Sequence, residues 1–184
     1  METERLATVM WRAEASLERC SLQKSEHGYR LVGQTLLVED GTPYSIGYVV
    51  STEDDWTTRH VKLIVDRAVT RQGLFLYARE GRWKRGCEAV AELKGCLDVD
   101  LAFTPATNTL PIRRLGLEVG DAADVNAAWV RWPQLDVVRV SQCYERLAVD
   151  RYRFTQEEFS ADITVDREGL VAEYADIWRA LGRA

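Results

Sequence analysis

Two aspartates one residue apart, Asp98 and Asp100, are followed within twenty residues by a Thr/Asn-rich turn and two adjacent arginines, Arg113 and Arg114. The stretch Cys96–Leu115 reads Cys-Leu-Asp-Val-Asp-Leu-Ala-Phe-Thr-Pro-Ala-Thr-Asn-Thr-Leu-Pro-Ile-Arg-Arg-Leu, and no other part of the chain is so dense in polar chemistry. If residues 97–101 form a strand, Asp98 and Asp100 share one face and Leu97, Val99 and Leu101 the other. Two carboxylates on one face can serve as a charged anchor, as contacts for a polar headgroup, or as a general acid/base pair if their surroundings separate their pKa values. Pro105 has no amide hydrogen, and the side chains of Thr107 and Asn108 compete for nearby backbone groups, so the chain must turn there. Leu110, before Pro111, is biased towards extended backbone, and the segment after it starts either an extended run or a short helix that returns Arg113 and Arg114 beside the aspartates.

A third arginine belongs with this group. In Trp-Thr-Thr-Arg-His-Val, Arg59 shares a strand face with Val61, Leu63 and Val65; turned inward it requires a carboxylate partner, for which Asp98 or Asp100 is the natural candidate, and at the strand end it can instead keep its head in water. Tyr144 and Tyr152 flank a turn around Val149 and could offer phenolic hydroxyls to a ligand. The candidate binding residues are therefore Arg59, Asp98, Asp100, Thr107, Asn108, Arg113, Arg114, Tyr144 and Tyr152. The six tryptophans are spread over the whole chain, which marks most of them as core.

The elements that must position these groups have a period of two. Runs at residues 29–39, 45–51, 57–65, 73–79, 89–94, 97–102, 125–132, 135–142, 144–149, 152–155 and 159–165 are rich in β-formers and separated by turn signals such as Asp40-Gly41 and Glu80-Gly81. About ten short strands at regular spacing predict a mainly β fold, an antiparallel barrel-like or strongly curved sheet. Tyr174, Ile177, Trp178 and Leu181 recur at helical spacing and predict a short C-terminal helix over 175–182. No composition shift divides the chain, so residues 1–184 are expected to form one domain.

Several residues lie in a pattern that resembles a bacterial family of unknown function labelled putative glycolipid-binding proteins. In chain order they are Trp56 with Arg59, Gly81 with Trp83, the Gly-Cys-Leu-Asp-Val-Asp of 95–100, Gln142 with Tyr144, Tyr152, and Gly169-Leu170-Val171 with Tyr174 and Trp178. The resemblance spans nearly the whole chain. It implies a β-rich fold similar to that of bacterial lipoprotein carriers, with an apolar cavity proposed to hold a lipid or glycolipid.

Composition narrows the function classes. With 46% hydrophobic and 29% charged residues the chain is an ordinary globular one. A formal net charge of −5 disfavours nonspecific attraction to nucleic acid or to anionic membrane surfaces. The acidic N-terminus lacks the pattern of a secretory signal, and no apolar run is long enough for a transmembrane segment, so cytoplasmic residence is the expectation. The four cysteines are scattered, and two histidines are too few to complete a structural zinc site with them, so no metal or cofactor is assigned. The chain has no nucleophile elbow, phosphate loop or metal-binding helix, so no catalytic residue is assigned either. The expected partner is a small apolar or amphipathic ligand, possible alternatives being a hydrolase-like enzyme that uses Asp98 and Asp100 or a module docking a protein on an open sheet edge. Oligomeric state is not legible in the sequence.

Overall fold

A computed structural model describes residues 3–184. Fifteen strands form a single sheet: β1 (Glu4–Ala13), β2 (Ser16–Ser25), β3 (Gly28–Glu39), β4 (Thr42–Thr52), β5 (Thr58–Arg67), β6 (Thr70–Arg79), β7 (Arg82–Arg85), β8 (Glu88–Val90), β9 (Asp98–Leu101), β10 (Ala122–Val130), β11 (Val137–Ala148), β12 (Arg151–Gln156), β13 (Phe159–Val165), β14 (Val171–Tyr174) and β15 (Trp178–Arg183). Their order is β8-β7-β6-β5-β4-β3-β2-β1-β15-β14-β13-β12-β11-β10-β9. Almost every sequential pair is a hairpin, β1 and β15 join the two halves, and β9 alone runs parallel to its neighbour β10. Among the described residues the one α-helix, α1 (Thr109–Leu115), follows a 3-10 turn at Ala106–Asn108.

The sheet is strongly curved and does not close. β8 and β9 remain its two edges. Curvature nevertheless brings β9 across the inner face towards β5, where the Thr58 amide donates to the Leu97 carbonyl at 2.8 Å and the Val99 amide to Thr58 Oγ1 at 3.0 Å. Alternation decides what fills the space between. Val9 and Trp11, Cys20 and Leu22, Ile46, Tyr48 and Val50, Val61, Leu63 and Val65, and Leu74 and Leu76 all turn inward and form one continuous core. Buried indoles satisfy their N–H groups on backbone carbonyls, Trp11 on Val171 at 2.7 Å and Trp83 on Cys96 at 2.9 Å.

Four expectations change. Residues 175–182 are not a helix: β14 and β15 form a hairpin in which Tyr174 faces Trp178, with Ala175 in the turn at φ +46. A tight hairpin brings residues i and i+4 together much as a helical turn does, so the two cannot be told apart by that spacing alone. Leu110 is helical rather than extended, and of the two forms open to the segment after it the short helix is the one taken, because Pro111 falls in the first turn of α1, where an amide hydrogen has no intrahelical partner to lose. Residues 89–94 pair only as far as Val90 and then enter a 3-10 turn, and 135–142 with 144–149 form the single long strand β11. β1 and β2 at the start and β14 near the end are strands beyond those the pattern marks. No helix among the described residues is long and apolar enough to cross a membrane.

Candidate functional site

The Cys96–Leu115 segment lies on the concave side of the sheet, and its polar groups divide into two networks. In the first, Arg114 clasps Asp98 with both arms of its guanidinium, Nε to Oδ1 at 3.0 Å and Nη2 to Oδ2 at 2.6 Å. α1 aims this arginine back because Gly116, in the left-handed region at φ +56, ends the helix after seven residues, about two turns. Asp98 is only 1% exposed. Burial raises its pKa, while the Arg114 hydrogen bond and charge pull it down.

The second network surrounds Asp100. Its Oδ1 accepts from Thr107 Oγ1 at 3.1 Å and its Oδ2 from Gln142 Nε2 at 2.7 Å, and the same Gln142 nitrogen reaches Gln156 Oε1 at 2.8 Å. Thr107 Oγ1 also accepts from the Leu101 amide at 3.2 Å, which pins the 3-10 turn to β9. Asn108 takes the Tyr144 hydroxyl on Oδ1 at 2.8 Å and donates from Nδ2 to the Pro105 carbonyl at 3.1 Å. Burial raises the pKa of Asp100, partly offset by its bonds to Gln142 and Thr107.

Asp100, Thr104, Asn108 and Gln156 border an open cleft of about 350 Å³, whose remaining wall includes Leu101, Trp129, Phe154, Phe159, Tyr174 and Trp178. Three of these rings meet edge to face, Phe154 with Tyr174 at 6.1 Å and Phe159 with Tyr174 at 6.3 Å between centroids, so the aromatic wall is a packed unit. Among the described residues no group of His, Cys, Asp and Glu side chains is placed to hold a metal ion.

The structure thus gathers Asp100, Thr107, Asn108 and Tyr144 about the cleft and sets Asp98 with Arg114 in an ion pair outside its lining. The other predicted residues go elsewhere. Arg59 does not meet either aspartate; it lies 3.8 Å from Glu53, which is near enough at the start of β5 to supply the charge, and its Nε is buried without a hydrogen-bond partner. Arg113, turned about 100° around α1 from its neighbour Arg114, places its guanidinium over the Trp56 ring at 5.1 Å. Tyr152 faces Arg146 at 5.6 Å in a separate surface depression that it shares with Arg113.

Sequence reasoning missed a third polar centre. Glu18 on β2 is 1% exposed, and its Oε1 accepts from the Tyr48 hydroxyl at 2.5 Å and from Thr104 Oγ1 at 2.7 Å. Glu18 Oε2 and the hydroxyl of Thr35, its partner in register on β3, are both buried without a hydrogen bond. Among the described residues no cation lies within ion-pair distance of this carboxyl, and burial pushes its pKa up to about 7 against the opposing pull of Thr104 and Tyr48. Gly33 makes the arrangement sterically feasible: a Cβ there would lie 2.1 Å from the Tyr48 ring, so only glycine lets that ring lie across β3 and reach Glu18. The signal in the sequence was parity, since Glu18 alternates in phase with Cys20 and Leu22.

With this geometry in place, comparison with known proteins identifies the class. The family described as "Putative glycolipid-binding" matches residues 8–180, and the chain belongs to that family. The crystal structure of a DUF1089 family protein from Pseudomonas aeruginosa superposes with a TM-score of 0.83 at 32% sequence identity, covering 92% of this chain and 94% of that one. No curated protein matches the chain.

Proposed function

We propose that the protein binds a small amphipathic molecule in the cleft beside Asp100, with an apolar portion against the aromatic wall and a hydroxyl-bearing portion against Asp100, Asn108 and Gln156. The observation that supports this reading is the juxtaposition itself: a packed set of aromatic rings faces a carboxylate and two amides across one opening. Ring faces suit the apolar face of a sugar or an alkyl chain, and a fixed carboxylate suits hydroxyl donors. The family description points the same way. At about 350 Å³ the cleft lies near the lower end of ligand-site volumes, so it fits a headgroup and a short apolar stretch rather than an entire diacyl lipid.

Titration with a short-chain alkyl glycoside below its micelle concentration, read by the fluorescence of Trp129 and Trp178, tests the reading. Saturable binding is expected, weakened about tenfold by Asp100→Asn and by Phe154→Ala, as for loss of one good contact. Binding of equal strength in the wild type and both folded variants would overturn it.

A further inference from the structure

We propose that the outer face of β2 to β7 is a docking surface for an anionic lipid bilayer. The alternation that turns Cys20, Leu31, Tyr48, Val61, Leu63 and Leu76 into the core turns the intervening residues outward. On this face Arg19, Arg30, Lys62, Arg82 and Lys84 have no carboxylate within ion-pair distance among the described residues. The one acidic side chain that these strands direct outward, Asp66, is already taken by Arg71 at 2.6 Å. A chain of net charge −5 therefore carries a local positive field on one broad surface. The other half of the sheet shows how uneven the distribution is: on the outer side of β10 to β14, Asp124, Glu145, Asp162 and Glu173 offset the arginines, and Arg153 pairs with Asp162 and Arg179 with Glu173.

Charge alone would suit any polyanion. The apolar side chains between the cations favour a bilayer. Leu17, Leu36, Val38, Phe75 and Tyr77 all stand on this face with 40–51% of their surface exposed. At its centre Gly47 has no side chain and open space where a Cβ would be, which leaves a depression of about 410 Å³ with Val32, Val49 and Ile64 in its floor and Arg19 and Lys62 at its margin. Nucleic-acid backbones call for the cations but not for exposed Leu36 and Val38, whereas the headgroup region of an anionic membrane is met by both kinds of group together. This inference stands apart from the cleft, which opens on the concave side, so either can fail without the other.

Cosedimentation of the full chain with vesicles of phosphatidylcholine, alone or with roughly a third phosphatidylglycerol, tests it at Debye lengths of about 30 Å and about 8 Å. Expected is partition onto the anionic vesicles alone, falling as the Debye length shortens. The double variant Arg19→Glu/Lys62→Glu should lose at least about 20-fold in partition, and the charge-matched Arg151→Glu/Arg167→Glu, off this face, should lose little. Leu36→Ser/Phe75→Ser should weaken partition while keeping its salt dependence, and all variants are checked for native near-ultraviolet circular dichroism. No partition onto anionic vesicles under low salt, an equal loss in the off-face pair, or tighter binding to a single-stranded oligonucleotide than to the vesicles would each overturn the proposal.

Discussion

Asp98 and Glu18 are both 1% exposed carboxyls on the concave side of the same sheet, and the protein answers them in opposite ways. Asp98 receives a two-armed guanidinium, so its charge is met by a charge. Glu18 receives two hydroxyls on one oxygen and nothing on the other. Desolvation raises the pKa of each, but only Asp98 has a cation to hold it ionised. A proton on Glu18 Oε2, by contrast, would have the unpartnered Thr35 hydroxyl to donate to. The lesson is that a buried acid does not by itself define a site of charge. Its partners determine whether it works as an anion or as a neutral hydrogen-bonding group.

The largest effect expected from this difference is at Arg114. Arg114→Met leaves Asp98 buried and unpaired, which should cost about 3–5 kcal/mol of folding stability at pH 7. Adding Asp98→Asn to that variant removes the orphaned charge and should restore a large part of the loss. Chemical denaturation of the two single variants and the double variant gives the coupling energy directly. Near-additive losses would show that Asp98 and Arg114 are not the interdependent pair described here.

Next in size is the pH dependence carried by Glu18. Its pKa in the folded protein, about 7, lies above the ordinary value of 4.5, so the native state holds a proton that the unfolded chain has already released between those two values. Folding stability should therefore be fully supported by this group below about pH 4.5 and should fall as pH rises towards 7, by roughly 3 kcal/mol in all. Glu18→Gln retains the neutral shape and removes the titration. Relative to wild type it should be more stable at pH 8 and close to equal at pH 5. Parallel stability curves for the two proteins from pH 4 to 8 would contradict a neutral Glu18.

How much of this could be read from residues alone varied with the kind of cue. Alternation marked β3 to β6 and β13 because their inward positions are mostly apolar, with Thr35 and Thr52 among the few polar ones. In β2 the inward series contains Glu18, and a charged residue there reads as solvent-facing until Tyr48 and Thr104, 30 and 86 residues away, are seen to reach it. The β14–β15 hairpin was misread for a different reason: its turn has Ala175 at positive φ where glycine or asparagine would have announced it. In the candidate site, dense polar spacing located Asp98, Asp100, Thr107, Asn108 and Arg114 correctly as neighbours. It could not separate Arg113 from Arg114, since adjacent helical residues point about 100° apart and the ring of Trp56 that takes Arg113 comes from a distant loop. The aromatic wall was equally hidden, because Trp129, Phe154, Tyr174 and Trp178 reach it from four different strands.

The smallest of these effects is expected at Thr104, the residue that joins the Glu18 centre to the cleft. Its Oγ1 donates to Glu18 at 2.7 Å and accepts from the Ala106 amide at 3.0 Å, while its side chain borders the opening beside Asp100. Thr104→Val keeps the volume but leaves a buried amide without its acceptor and Glu18 with Tyr48 as its single donor, a loss of about 1–3 kcal/mol. Because the Thr104 bond lowers the Glu18 pKa, removing it should also move the inflection in the stability curve to higher pH. Thr104→Ser, which keeps the hydroxyl and drops the methyl group, should leave that inflection in place. If Val and Ser variants titrate alike, the hydroxyl is not what tunes Glu18, and the contrast between two equally buried carboxyls would rest on the Arg114 cation alone.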